Sequence, residues 1–218
     1  MSYDYIVDAK LKFARNLTAG NKADKIIIHH ALAKNCTIED IHRWHLQRGW
    51  AGIGYHFFIS KDGKIYKGRD AQYTGAHTIG QNNTSIGICL EGCYQDYKNQ
   101  TDKDTPIEQM DALIKLCDML MKMYNISIDK IYKHNDFDRG KLCPGNYFAW
   151  DLFITKIIRE MKKMEDVAKY EVEKKEHWAE QDYQELKEAG IEIHEKRFDD
   201  NIKRGELFAL LNRMRRGL

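Results

Sequence analysis

The period of the apolar pattern changes several times along the chain, and each change marks an element. Lys25-Ile26-Ile27-Ile28-His29-His30 is a β-branched run of the kind that forms a buried strand, and it ends in two imidazoles. Ile38–Leu46 follows Thr37, a good N-cap residue, carries Glu39 and Asp40 in its first turn and stops at Gly49, which predicts a helix. Residues 55–59 and 64–66 read as two strands joined through Lys61-Asp62-Gly63, and residues 85–90 as another. Thr105-Pro106-Ile107-Glu108 has the form of a capping box with proline at the first helical position, which predicts a helix through Met123. Its Ile107, Met110, Leu113, Ile114, Cys117 and Leu120 or Met121 keep helical spacing and form a stripe expected to pack on the sheet. Ile131–His134 reads as the last strand, and a helix starts near Tyr147. The expected fold class is α/β, a mixed central β-sheet flanked by helices.

The two ends depart from this pattern. Ala9–Arg15 is expected as an amphipathic helix held by Leu11 and Phe13. From about residue 163 the chain turns charged, and 162–176 reads as a solvated helix or helical linker. Beyond it stand a helix over 178–189, a stop at Gly190, a short loop and a helix over 198–213, a small all-helical unit with too little core to stand alone. The expected organisation is an extension at 1–23, the main domain at 24–162, a linker at 163–176 and the helical unit at 177–218.

Composition narrows the function classes. With 218 residues and 43% hydrophobic content the chain can bury a core, and a net charge of +2 offers no polybasic footprint for nucleic acid. No segment is long enough to span a bilayer, so no membrane insertion is expected, and Met1–Asp8 lacks the basic start and apolar stretch of a signal peptide. The five cysteines are odd in number and form no CxxC pair, which fits synthesis in a reducing compartment; Cys89 and Cys117 read as small buried side chains.

The chemistry gathers in two places. A strand end carries His29 and His30, and Tyr132–Gly145 carries His134 and Cys143 on a segment that folds back before Pro144-Gly145. Two imidazoles and one thiolate leave a fourth tetrahedral position open to water, the pattern of catalytic zinc, and such water has a pKa near ~7.

Five motifs occur in order: Ile27-Ile28-His29-His30, Gly54-Tyr55-His56-Phe57, Gly75-Ala76-His77, Asn83-Thr84-Ser85-Ile86-Gly87-Ile88 and Lys141-Leu142-Cys143-Pro144-Gly145. Together they resemble the zinc amidases of the phage-lysozyme type, N-acetylmuramoyl-L-alanine amidases related to the peptidoglycan recognition proteins, over about residues 24–158. The resemblance implies that fold, one zinc ion held by His29, His134 and Cys143, and an active site completed by Tyr55 and Lys141. Asn135-Asp136 stands where related enzymes often carry Arg-Asp. Strand alternation lets only one of His29 and His30 reach a metal, and the family's ligand is the first of the pair.

Amide hydrolysis needs an activated water, stabilisation of the oxyanion and a proton for the leaving nitrogen. No carboxylate stands beside the ligands in these motifs, so Tyr55 is the expected group to orient the water or relay its proton, and Lys141 the cation over the oxyanion. His77 is the expected substrate contact. The implied partner is bacterial peptidoglycan, cut between the muramic acid lactyl group and L-alanine. The alternatives are a non-catalytic peptidoglycan-binding protein of the same fold and a zinc peptidase cutting within the stem peptide. A wall-cutting enzyme without a signal peptide points to a phage or prophage endolysin that reaches the wall through a holin-opened membrane. The end of the chain resembles a single surface-layer-homology-like repeat, Ile202-Lys203-Arg204-Gly205-Glu206 standing where that repeat has Ile-Thr-Arg-Ala-Glu. It implies a wall-binding module for a secondary wall polymer, with packing on another copy, a homo-oligomer, as the other use of the unit.

Overall fold

The computed structural model describes residues 5–190. Six strands form one sheet in the order β1-β4-β3-β5-β2-β6: β1 (Ile6–Asp8), β2 (Lys25–His30), β3 (Phe57–Ile59), β4 (Ile65–Lys67), β5 (Ser85–Leu90) and β6 (Ile131–Lys133). β2 runs parallel to both of its neighbours, β5 and β6, whereas β3 and β4 form an antiparallel hairpin, so the sheet is mixed. Strands flanked on both sides and buried on both faces read as unbroken apolar runs, and β2 and β5 do.

Alternation along β2 sorts its side chains between two cores. Ile26 and Ile28 face the larger one, with Leu113, Ile114 and Cys117 of α2 (Ile107–Tyr124) and Phe153 and Ile157 of α3 (Trp150–Glu188). The other face carries a smaller cluster of Ile38 and Ile41 from α1 (Ile38–Gln47) with Ile53, Phe58 and Cys89. α1 starts on the expected cap: Thr37 Oγ1 accepts the Asp40 N–H at 3.2 Å while Asp40 accepts the Thr37 N–H at 3.0 Å.

Three local expectations are corrected. Ala9–Arg15 forms no helix: Lys10 takes a φ of 48°, outside right-handed helical space, and Ala14 donates its N–H to Ala51 across the fold at 2.9 Å. Leu11 and Phe13 instead pack, extended, on the smaller cluster. Before that segment, Ile6–Asp8 pairs with β4 in parallel register and forms the edge of the sheet, so residues 6–8 of the expected extension belong to it. The Thr105 cap is not made either, because α2 begins at Ile107 with Pro106 as N-cap and no side-chain capping bond, and Thr105 Oγ1 is buried without a partner.

Contacts divide the chain into two units, one up to Met161 and one from Lys162. In the second unit the expected linker and the helix after it are one element, since α3 runs through Glu188 without a break before Gly190 takes a φ of 78°. The expected helix at 198–213, the Ile202–Glu206 element and the wall-binding reading placed on them lie outside the described residues. Among the described residues no helix is long and apolar enough to cross a membrane.

Candidate metal centre

Parallel register brings the donors together. Ile28 on β2 lies opposite Lys133 on β6, so the residues that follow, His29 and His134, emerge side by side at the strand ends with ring centroids 4.4 Å apart. After β6 the chain makes a short 3-10 turn at His134–Asp136 and folds back, closed by the Asn135 N–H to Cys143 carbonyl bond at 3.0 Å. Cys143 thereby returns to β2. Its Sγ lies 3.8 Å from His29 Nδ1 and accepts the His30 N–H at 3.4 Å. Donor atoms of His29, His134 and Cys143 all fall within 4.8 Å of one another.

Strand alternation separates the two adjacent histidines as expected. His29 faces the cluster, while His30 turns to the opposite side, where its Nδ1 accepts the Tyr94 N–H at 3.0 Å.

The electrostatics prepare the donors for a cation. Burial first, and then the His77 and His134 imidazoles, hold His29 well below the ordinary imidazole range, and burial with the Lys141 cation brings His134 down to about 4. Both rings are therefore neutral near pH 7 and keep a lone pair for a ligand. Burial pushes the Cys143 thiol up to about 12, against the pull of the His30 N–H and Lys141, so a thiolate ligand would form there only in exchange for a proton on cation binding. Two neutral imidazoles and a thiolate suit a borderline-soft divalent ion, and three protein donors leave room for a fourth ligand.

Around the donors stand the other expected residues. The Tyr55 ring lies 5.0 Å from His29 and 5.6 Å from His45, and it is buried near the Cys89 thiol. Burial, then Cys89 and Cys143, raise its pKa well above the ordinary phenol value. Lys141 is exposed, 3.6 Å from the Asp138 carboxylate, on the rim of a cleft of about 510 Å³ whose lining also includes His134, His77, Trp50, Ile79 and Phe137. His77 is buried in the floor of that cleft, and its Nδ1 lies 3.0 Å from His29 Nε2. It is held there because the chain approaches itself closely: a Cβ on Gly54 would sit 2.1 Å from the Ala76 carbonyl oxygen.

Two cleft residues escaped the sequence reading. Ile79 is 95% exposed at the mouth, and Trp50 flanks it. A bulky apolar side chain inside the polar loop Thr78-Ile79-Gly80-Gln81-Asn82 was the available signal, since such a residue has no core to fill.

Comparison with known proteins agrees with this geometry. The family model for N-acetylmuramoyl-L-alanine amidase, Amidase_2, matches residues 19–146, more than half of the chain. The endolysin of Enterobacteria phage T3 is 34% identical over 140 residues, 63% of this chain and 87% of that one. Among solved structures, the N-acetylmuramoyl-L-alanine amidase LysC from Clostridium intestinale URNW is 36% identical with a TM-score of 0.64, over 70% of this chain and 96% of that one. A Drosophila PGRP-LB mutant in complex with tracheal cytotoxin is 28% identical with a TM-score of 0.55, over 67% of this chain and 92% of that one. With a mixed six-stranded sheet flanked by helices and the amidase model matched across the strands that carry its His-His-Cys cluster, the chain belongs to the N-acetylmuramoyl-L-alanine amidase family.

Proposed function

We propose that this protein is a zinc-dependent endolysin that cleaves the amide between the lactyl group of N-acetylmuramic acid and L-alanine of the stem peptide. The observation that carries the reading is the meeting of His29, His134 and Cys143 within 4.8 Å, with His134 lining the cleft. A zinc ion held by these three would supply Lewis acidity, polarising the scissile carbonyl and bringing the pKa of water to near ~7.

The chain's own groups do the rest. Tyr55, packed beside His29, orients the attacking water and relays its proton toward the departing nitrogen. Lys141, on the cleft rim, places a cation near the oxyanion that develops on the carbonyl. Trp50 and Ile79 give the cleft mouth apolar surface, suited to the sugar face and the lactyl methyl of the substrate. The tracheal cytotoxin seen with PGRP-LB, a monomeric diaminopimelic acid-type peptidoglycan, supports a muropeptide as occupant. On this reading the enzyme, similar to the endolysin of Enterobacteria phage T3, acts on the wall after release through a membrane opened by a separate holin.

Digestion of purified walls, with and without a chelator, tests the reading by mass spectrometry. Expected products are stem peptides with a free L-alanine amino group and glycans with intact lactyl carboxylates, formed only when zinc is present. Cuts inside the stem peptide, binding with no cleavage, or full cleavage in chelator would each overturn it.

A further inference from the structure

Behind the metal donors lies a buried polar chain whose direction can be read from end to end. Ser85 Oγ donates to the Gln81 carbonyl at 2.7 Å, which commits its one hydrogen and leaves the oxygen as an acceptor. His77 Nε2 lies 3.4 Å from that oxygen and so carries the ring hydrogen. Buried as it is, the His77 ring is neutral, and its Nδ1 is then an acceptor, which takes the Thr78 hydroxyl hydrogen at 3.0 Å and leaves the Thr78 oxygen as an acceptor. His29 Nε2 stands 3.0 Å from this Nδ1 and donates to it, while Thr78 Oγ1, 3.4 Å from His29 Nε2, accepts a minor share of the same N–H. A neutral His29 with its hydrogen on Nε2 presents an unprotonated Nδ1, and Nδ1 is the atom 3.8 Å from Cys143 Sγ.

The ring of His77 is also fitted to its place. A Cβ on Gly75 would lie 2.5 Å from its Cδ2 and one on Gly87 2.5 Å from its Cγ, so two glycines make the slot. Asn82 Oδ1 accepts both the His77 N–H at 2.7 Å and the Thr78 N–H at 2.9 Å, which fixes the loop that carries the ring.

We propose that His77 is a positioning residue for the metal centre: through the Ser85–His77–His29 chain it locks His29 in the tautomer and orientation that offer Nδ1 to the ion. The proposal rests on the zinc reading of the site, and it gives His77 a role apart from the substrate contact expected of it from the sequence. Outer partners of this kind, when removed, cost about 10–100-fold in metal affinity.

Two measurements test it. In metal-free protein, ¹⁵N chemical shifts of the His29 ring should show Nε2 protonated and Nδ1 bare; a proton on Nδ1 would overturn the proposal, with no variant involved. Zinc dissociation constants from chelator competition should rise about 10–100-fold in His77→Ala relative to the parent, while His77→Asn, whose amide oxygen stands near the place of Nδ1, should recover most of the loss. Circular dichroism confirms that each variant is folded. A folded His77→Ala that binds zinc as tightly as the parent would contradict the assignment, as would equal losses in Ala and Asn. A parent protein that binds no zinc would instead sink the proposed function, while the His29 tautomer would still decide this inference.

Discussion

His29 and His30 are neighbours on one strand, yet they do opposite work. His30 gives its Nδ1 to the Tyr94 N–H, and three further buried histidines do the same: His42 accepts from Ile53 at 3.2 Å, His45 from Gly54 at 3.0 Å and His56 from Gly87 at 2.9 Å. His29 reverses the arrangement, bonding through Nε2 and turning Nδ1 toward Cys143. Burial and residue type are shared across the set, so neither marks a ligand. What differs is which ring nitrogen the fold consumes: a histidine whose Nδ1 is taken by a backbone amide is a structural bracket, and one whose Nδ1 is left over, beside a thiol and a second imidazole, is free to serve as the metal donor we propose.

The contrast can be broken most severely at a donor. Cys143→Ser should weaken zinc binding by about 100-fold or more and abolish wall lysis, on the scale of roughly 3 kcal/mol or more per ligand of a site worth about 10–16 kcal/mol. Zinc titration against a chelator checks it, and tight binding by the serine variant would remove Cys143 from the donor set. Next in size, Tyr55→Phe should keep its zinc and lose about 10²–10³-fold in turnover, the usual cost of one well-placed hydrogen-bonding group at a reacting centre. Lys141→Ala should behave in the same direction with a smaller loss, because its side chain is exposed and screened. Full turnover by both variants would refute their roles.

On the bracket side the readout is stability. Burial holds His45 and His56 at about 4, against 6.5 when unperturbed. Between these values the unfolded chain binds protons that the folded one refuses, so stability is unaffected above pH 6.5 and falls as the pH drops toward 4, by up to about 3 kcal/mol for each group. Thermal melts of metal-free protein across that window should show the decline, and a flat profile would contradict the bracket reading. Smallest of all, His42→Ala should cost about 1–3 kcal/mol, since it orphans the Ile53 N–H and frees the Lys12 carbonyl that His42 Nε2 bonds at 3.0 Å, with zinc affinity unchanged.

Much of the central fold was legible because local signals and tertiary demands agree there. The Lys25–His30 run, the Thr37 cap and the apolar stripe of α2 from Met110 onward each state in sequence what the sheet and its flanking helices require, whereas Ile107, expected in the same stripe, is exposed. The edge strand Ile6–Asp8 was not legible: it is three residues long with two of them exposed, and its only warrant is the register it shares with Ile65–Lys67. Nor did Leu11 and Phe13 announce that they pack in an extended segment, since two apolar anchors fit either conformation and the distant Ala51 carbonyl decides. At the centre, the residues the structure brings together were named through motifs, whereas the pairing of His77 with His29 spans 48 positions and depends on the turn of a loop, which no local pattern encodes.

X-ray absorption at the zinc edge of the loaded protein tests the central claim most directly, because it counts and identifies the atoms around the ion. The account predicts two nitrogens at about 2.0–2.1 Å, one sulfur at about 2.3 Å and one exchangeable oxygen. A shell without sulfur, or one closed by a fourth protein donor in place of the oxygen, would contradict it.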